Sequence, residues 1–311
     1  MSLKKPPSLP LSLFAPHGPL ALGSAPLPPS PTAIHPDYII DSHSFVTFTE
    51  TTPDPIYYGL KEDYPRPPVK NAVQVKMDVS AEPAQAVLGV KPFSIHPTIL
   101  NLALATPPSV TNIAKGAVDI ILPSTLPLTE KDWDLLDEAV DALEGCWSNG
   151  KEGTPKSGKI VISGLLLPPL TLSSGSLIHS DTYSLHLSRL ASLSLHANVF
   201  LKALPPVVNL SQGDGKDGNW WENREELERV LRMYMSHAIE TFGTHRLIFG
   251  SFPALPLADL EHISSVKGQL KQPISNDEWY AVLRKCVSEL GEVTEAMTAI
   301  MGGNAAMVYD L

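Results

Sequence analysis

Glu222 to Pro253 reads ENREELERVLRMYMSHAIETFGTHRLIFGSFP. Leu227, Val230, Leu231, Tyr234, Ala238 and Phe242 recur at helical spacing on one face, which predicts an amphipathic helix over Glu222–Phe242. Gly243 stands where such a helix ends. Arg246–Gly250 follows directly as a short apolar strand. A helix that feeds straight into a buried strand is the repeating unit of a parallel sheet covered by helices.

The same alternation extends toward the N-terminus. Lys159–Leu167 reads as a strand, Leu185–Leu195 as a helix and Asn198–Ala203 as a strand. Val118–Leu122 is a buried-strand pattern bounded by Pro123. Thr129 and Asp132 form a capping pair for a helix whose face carries Trp133, Leu136, Val140 and Leu143, with Gly145 as its expected end. Downstream, Ser275 and Glu278 make a capping box before a helix reaching Leu290. Two short helices, separated by Gly302-Gly303, are expected to finish the chain. The first half is less regular. Tyr38–Ile40 is a strand running into Asp41-Ser42-His43, a Pro- and Tyr-rich connection spans Thr51–Pro68, and Val73–Val79 and Ala86–Val90 are strand candidates. The fold class is α/β.

Composition narrows the function. The 311 residues hold 23 Lys and Arg against 33 Asp and Glu, a net charge of −10, which opposes binding to nucleic acid or to an anionic membrane surface. With 43% hydrophobic and 18% charged residues, a sizeable core is expected. No apolar run reaches the roughly 18 residues of a membrane span. Cys146 and Cys286 lie far apart and fit no C-x-x-C pattern. That favours a reducing, cytoplasmic setting, with a single disulfide as the alternative. The 30 prolines concentrate partly in Lys5–Pro36, read as an extended arm that either packs on the domain or stays mobile. The expected division is arm 1–36 and one domain 37–311. Oligomeric state is not set by these features.

Three segments carry a resemblance. They are Ile40-Asp41-Ser42-His43-Ser44-Phe45, then Phe242-Gly243 with Arg246-Leu247-Ile248-Phe249-Gly250-Ser251-Phe252-Pro253, then Gly303-Asn304-Ala305-Ala306 with Tyr309 and Leu311. Asn198-Val199-Phe200-Leu201-Lys202 and Ile160–Pro168 add to it. Together they resemble the amidohydrolase superfamily, in the amidohydrolase-related group of sugar-lactone and pyrone-dicarboxylate lactonases. The match is strong over about 195–311, moderate around 38–46 and weak from 50 to 155. The resemblance implies a distorted (β/α)8 TIM-type barrel with its site at the C-terminal strand ends. It also implies hydrolysis of a lactone or related C–O or C–N bond in a carboxylated or sugar-like small molecule.

The resemblance also implies a metal site, and this chain departs from it. The family carries two His at i and i+2 on the first strand, a later His, and an Asp after Gly-Ser. Here His43 is kept, while Phe45, Gly164 and Phe252 fall at the other positions, beside Asp41 and Ser251. A catalytic zinc needs about three protein ligands and an open position. One imidazole does not meet that need, so no metal and no other cofactor is expected. Each residue also has a plainer reading. His43 hydrogen-bonds backbone at a strand end, and Phe45 and Phe252 fill core. Ser251 lacks a nucleophile elbow, Asn304 caps a helix, and Arg246 anchors its strand through an ion pair. His96 and His179, the latter with Asp181, are candidates for a rebuilt cluster with His43. His186, His196, His237 and His245 are scattered. Gly213-x-Gly215-x-x-Gly218 reads as a loop, because no strand leads directly into it, and Trp220-Trp221 as packing. Two functions stay open. One is a degenerate, non-catalytic protein that binds a small molecule or partner. The other is a metal-independent hydrolase using His43 as base.

Overall fold

A computed structural model of the chain describes residues 34–49, 52–58, 67, 69–74, 98–101, 117–122, 127–148, 158–209, 219–254, 270–291 and 293–311. Its strands are β1 (Ile39–Thr49), β2 (Thr52–Tyr58), β3 (Val69–Gln74), β4 (Thr98–Asn101), β5 (Ala117–Ile121), β6 (Lys159–Ser163), β7 (Val199–Ala203), β8 (Val208–Asn209), β9 (Leu247–Phe249) and β10 (Leu270–Lys271). Its helices are α1 (Glu130–Ser148), α2 (Ser174–Leu177), α3 (Asp181–Leu193), α4 (Arg224–Phe242), α5 (Asn276–Glu289), α6 (Thr294–Thr298) and α7 (Asn304–Tyr309).

The strands β4-β5-β6-β7-β9 form one parallel sheet in that order, with α1, α3 and α4 in the crossovers. Both faces are covered, which is why Ile160–Ile162 and, apart from Asp119, Val118–Leu122 are apolar without alternation. Val118, Ile120, Ile160, Ile162, Leu201 and Phe249 pack into the core beneath the helices. The alternate residues Val161, Phe200 and Ile248 face the other way and pack with Ile40, Ala305, Val308 and Tyr309. The C-terminal helix α7 therefore lies on the face opposite α1, α3 and α4.

A second sheet has the order β2-β1-β3, with β3 parallel to β1 and β2 antiparallel to it. The strand β1 runs on past His43 into a hairpin, and Phe45 pairs with Tyr58 in it. β1 also sits beside β9, because Ser42 Oγ donates to the Phe249 carbonyl at 2.5 Å and Phe252 N to the His43 carbonyl at 3.0 Å. The α/β class and parallel topology match the expectation. Among the described residues, however, no ring of hydrogen-bonded strands closes.

Several local expectations are revised. Helix α1 begins at the Thr129/Asp132 reciprocal bonds but continues through Gly145 to Ser148. One helical glycine costs about 1 kcal/mol, less than the gain from burying Trp147 in the last turn. Strand β6 stops at Ser163, not Leu167, because Gly164 turns the chain with φ of 84°. The Gly302-Gly303 pair does not break the C-terminal helices. It lies in a π-helical turn, Ala299–Gly303, that joins α6 to α7. Gly302 is needed for close approach, since a Cβ there would stand 2.7 Å from the Tyr38 ring.

Asn304 is not a cap; its Nδ2 donates to the Thr244 and Leu247 carbonyls at 2.8 and 2.7 Å, tying α7 to β9. Arg246 makes no ion pair among the described residues. Its guanidinium donates to the carbonyls of Phe242, Ser194, His196 and Thr241 and lies over the Phe242 ring. Those carbonyls belong to the ends of α3 and α4, where helices leave acceptors unpaired. The capping box of Ser275 and Glu278 opens α5 as expected.

Residues 1–33 of the arm, the Ala86–Val90 strand candidate and the Gly213–Gly218 string lie outside the described residues, as does Val73–Val79 beyond Gln74. The arm's last residues are tied to α5, by Arg284 donating to the Ile34 carbonyl at 2.9 Å and by a 3.2 Å contact between His35 Nδ1 and the Tyr280 hydroxyl. No described helix is long and apolar enough to cross a membrane.

Candidate functional site

The first half of β1, beside the end of β9, carries Asp41, Ser42 and His43, all buried. Asp41 is a bracket. Its carboxylate accepts from the Ser251 amide at 2.9 Å, the Ser251 hydroxyl at 2.5 Å and the His43 amide at 3.2 Å. It thereby fixes the loop after β9 to the strand that bears His43. Gly250 makes this approach possible. A Cβ there would lie 2.6 Å from both His43 Cβ and Leu204 Cδ2.

The Ser251 hydroxyl is committed to Asp41, and neither ring nitrogen of His43 has a hydrogen-bond partner among the described residues. No nucleophile–base pair is formed by these two residues. The His43 ring is 1% exposed. Burial, and then the Lys202 charge, hold its pKa well below the usual imidazole value. The Pro253 backbone is near enough to oppose that drop slightly, without completing a hydrogen bond to the ring. The expected strand-end hydrogen bond of the ring is therefore not made; His43 bonds through its own amide and carbonyl instead.

Behind this strand end lies a charged network that sequence reading did not assemble. Lys202 on β7 is fully buried and donates to Asp119 Oδ2 at 2.5 Å and to the Ser42 carbonyl at 2.8 Å. The Tyr309 hydroxyl donates to both Asp119 oxygens, at 2.8 and 3.1 Å. Burial and the Asp119 charge hold Tyr309 well above the usual phenol value, so it stays a neutral donor. Lys202 and Tyr309 stood in the quoted motifs, but Asp119 did not. The one available signal was a carboxylate inside the apolar run Val118–Leu122, where an unpaired charge would be prohibitive.

The other expected positions are dispersed. Gly164 ends β6. A Cβ on it would meet the Leu122 carbonyl at 2.8 Å, and its positive φ disfavours any side chain, so the backbone here has no place for a ligand-bearing residue. Phe252 is buried and uses its amide on His43. Phe45 lies in the β1–β2 hairpin. His179, on the turn between α2 and α3, and Asp181, the first residue of α3, are exposed and form no ligand cluster with His43. His96 lies outside the described residues. The crevice at the strand ends, lined by Leu122, Gly164, Leu167, Leu204, Pro205 and Ala254 among others, has a volume of about 20 Å³. That is room for about one water. Among the described residues no group of three metal-ligating side chains includes His43, and the neighbouring Asp41 carboxylate is already held by Ser251 and the His43 amide, so the described strand ends do not fit a hydrolytic zinc.

No family model and no curated protein matches the chain. Solved structures do. An amidohydrolase from Burkholderia multivorans with bound zinc is 15% identical, with 88% of this chain and 99% of that one covered, at a TM-score of 0.44. A probable 2-pyrone-4,6-dicarboxylic acid hydrolase from Acinetobacter baumannii with citric acid bound is 13% identical over the same shares, at 0.38. Amidohydrolase 2 from Bifidobacterium longum subsp. infantis is 12% identical, also with 88% and 99% covered, at 0.41. The chain is similar to these amidohydrolases over most of its length.

Proposed function

We propose that the chain is a divergent, amidohydrolase-related protein on a distorted (β/α)8-type barrel. In this reading its metal-dependent hydrolytic site has been filled in, and it acts by binding a small molecule or partner rather than by turnover. The observation that carries this reading is the environment of His43. The imidazole is buried, neither of its nitrogens has a partner among the described residues, the Phe252 amide bonds to the His43 carbonyl, and Gly164 has no space for a side chain. A water-activating ion would need donors on several sides of it. The surviving motifs do structural work instead: Arg246 and Asn304 satisfy carbonyls, and Asp41 and Ser251 lock two strands together.

One observation favours a metal-free hydrolase. A base must be unprotonated, and burial keeps the His43 imidazole neutral near pH 7. Against it stands a basicity too low for efficient proton abstraction.

The test is a panel of lactones, esters and amides assayed with and without a chelator. No turnover above background is expected, with thermal stabilisation by a ligand as the positive signal. Turnover that survives the chelator and disappears in His43→Ala selects the metal-free hydrolase. Turnover abolished by the chelator overturns the proposal.

A further inference from the structure

One cluster of metal-ligating side chains lies away from the strand ends discussed above. Asp141 and Glu144 sit one turn apart on α1, and His196 lies in the connection from α3 to β7. One ligand atom from each falls within 4.8 Å of the others. His196 Nδ1 is already 3.1 Å from Glu144 Oε2. Tetrahedral zinc with bonds of about 2.0–2.2 Å sets its ligand atoms about 3.3–3.5 Å apart. The observed pair is thus within a few tenths of an ångström of that spacing, and a ligand atom of Asp141 lies within 4.8 Å of both.

Charge points the same way. Nearer the start of α1, Asp134 and Asp137 share the single guanidinium of Arg189, at 2.7 and 3.4 Å. Among the described residues no basic side chain is salt-bridged to Asp141. Two carboxylates therefore face one imidazole. Imidazole with carboxylates is a donor set for first-row divalent ions, and one nitrogen donor favours zinc over magnesium or calcium.

We propose that Asp141, Glu144 and His196 bind one zinc-type divalent cation, with water in the remaining positions. The site is at the N-terminal end of β7, the opposite end from His43, where barrels carry stabilising rather than catalytic features. The cation would clamp the last turns of α1 to the α3–β7 connection. The imidazole would coordinate in its neutral form through Nδ1, with its ring proton on Nε2.

The full chain is stripped with a chelator, dialysed, and titrated with zinc chloride in a calorimeter and in melting experiments. One zinc per chain is expected, with a rise in melting temperature that magnesium and calcium do not reproduce. Asp141→Asn, at an exposed position, should weaken binding by about tenfold or more, and His196→Asn should abolish it. No zinc uptake above the buffer control overturns the proposal. So does equal affinity in the parent and both variants, which would place the ion elsewhere in the chain.

Discussion

Lys202→Met removes the cation from the buried network and tests how the site is held. The Lys202 ammonium lies 2.5 Å from Asp119 and 2.8 Å from the Ser42 carbonyl, and the side chains of both Lys202 and Asp119 are 0% exposed. Methionine fills a similar volume without charge. It leaves the Asp119 carboxylate buried with only the Tyr309 hydroxyl donating to it. Breaking one side of a buried pair costs about 3–5 kcal/mol. At about 1.5 °C per kcal/mol for a chain of this size, the melting temperature should fall by about 5–8 °C. Urea unfolding at pH 7, followed by tryptophan fluorescence, measures the free energy directly. The double variant Lys202→Met with Asp119→Leu removes the stranded charge and should recover about 2 kcal/mol or more relative to the single one. A single variant within about 1 kcal/mol of the parent, or strictly additive losses in the double, would refute the claim that the pair is coupled.

Acid should destabilise the protein through two histidines. Burial lowers the His43 pKa well below 6.5, and burial with His237 nearby lowers His186 to about 3. The unfolded chain therefore binds protons first as pH falls below about 6.5. This contribution is complete above that value and shrinks toward the folded-state values. Between pH 7 and 5.5 the pair should cost about 2.5 kcal/mol, and His186→Phe should remove about half of that slope in urea titrations. A slope unchanged in the variant would exclude His186 as a source. Gly250→Ala places a Cβ 2.6 Å from His43 and Leu204, and should cost about 1–3 kcal/mol by prying β9 from β1. Gly145→Ala, with nothing within 4 Å, should instead stabilise α1 by up to about 1 kcal/mol. Equal effects of the two in thermal melts would contradict the packing described for Gly250.

Much of the architecture was legible in local patterns. The faces of α1, α4 and α5, their caps at Thr129 and Ser275, and the apolar strands β5, β7 and β9 all follow from spacing and capping chemistry that act within a few residues. Boundaries failed where a distant contact outweighed a local preference. Trp147 carried α1 past Gly145, and Tyr38 put Gly302 in a packed turn rather than a break.

The candidate site shows the same division. Motif spacing located His43, Asp41, Ser251 and Phe252, which the structure brings together between β1 and the loop after β9. It could not join Asp119, Lys202 and Tyr309, which lie 83 and 190 residues apart from Asp119 along the chain. Nor could it place Glu144 against His196, 52 residues away. Local order depends on neighbours in the chain, so a single sequence displays it. A buried charge finds its partner only when packing excludes water and leaves that partner as its sole source of solvation. That choice belongs to the assembled fold.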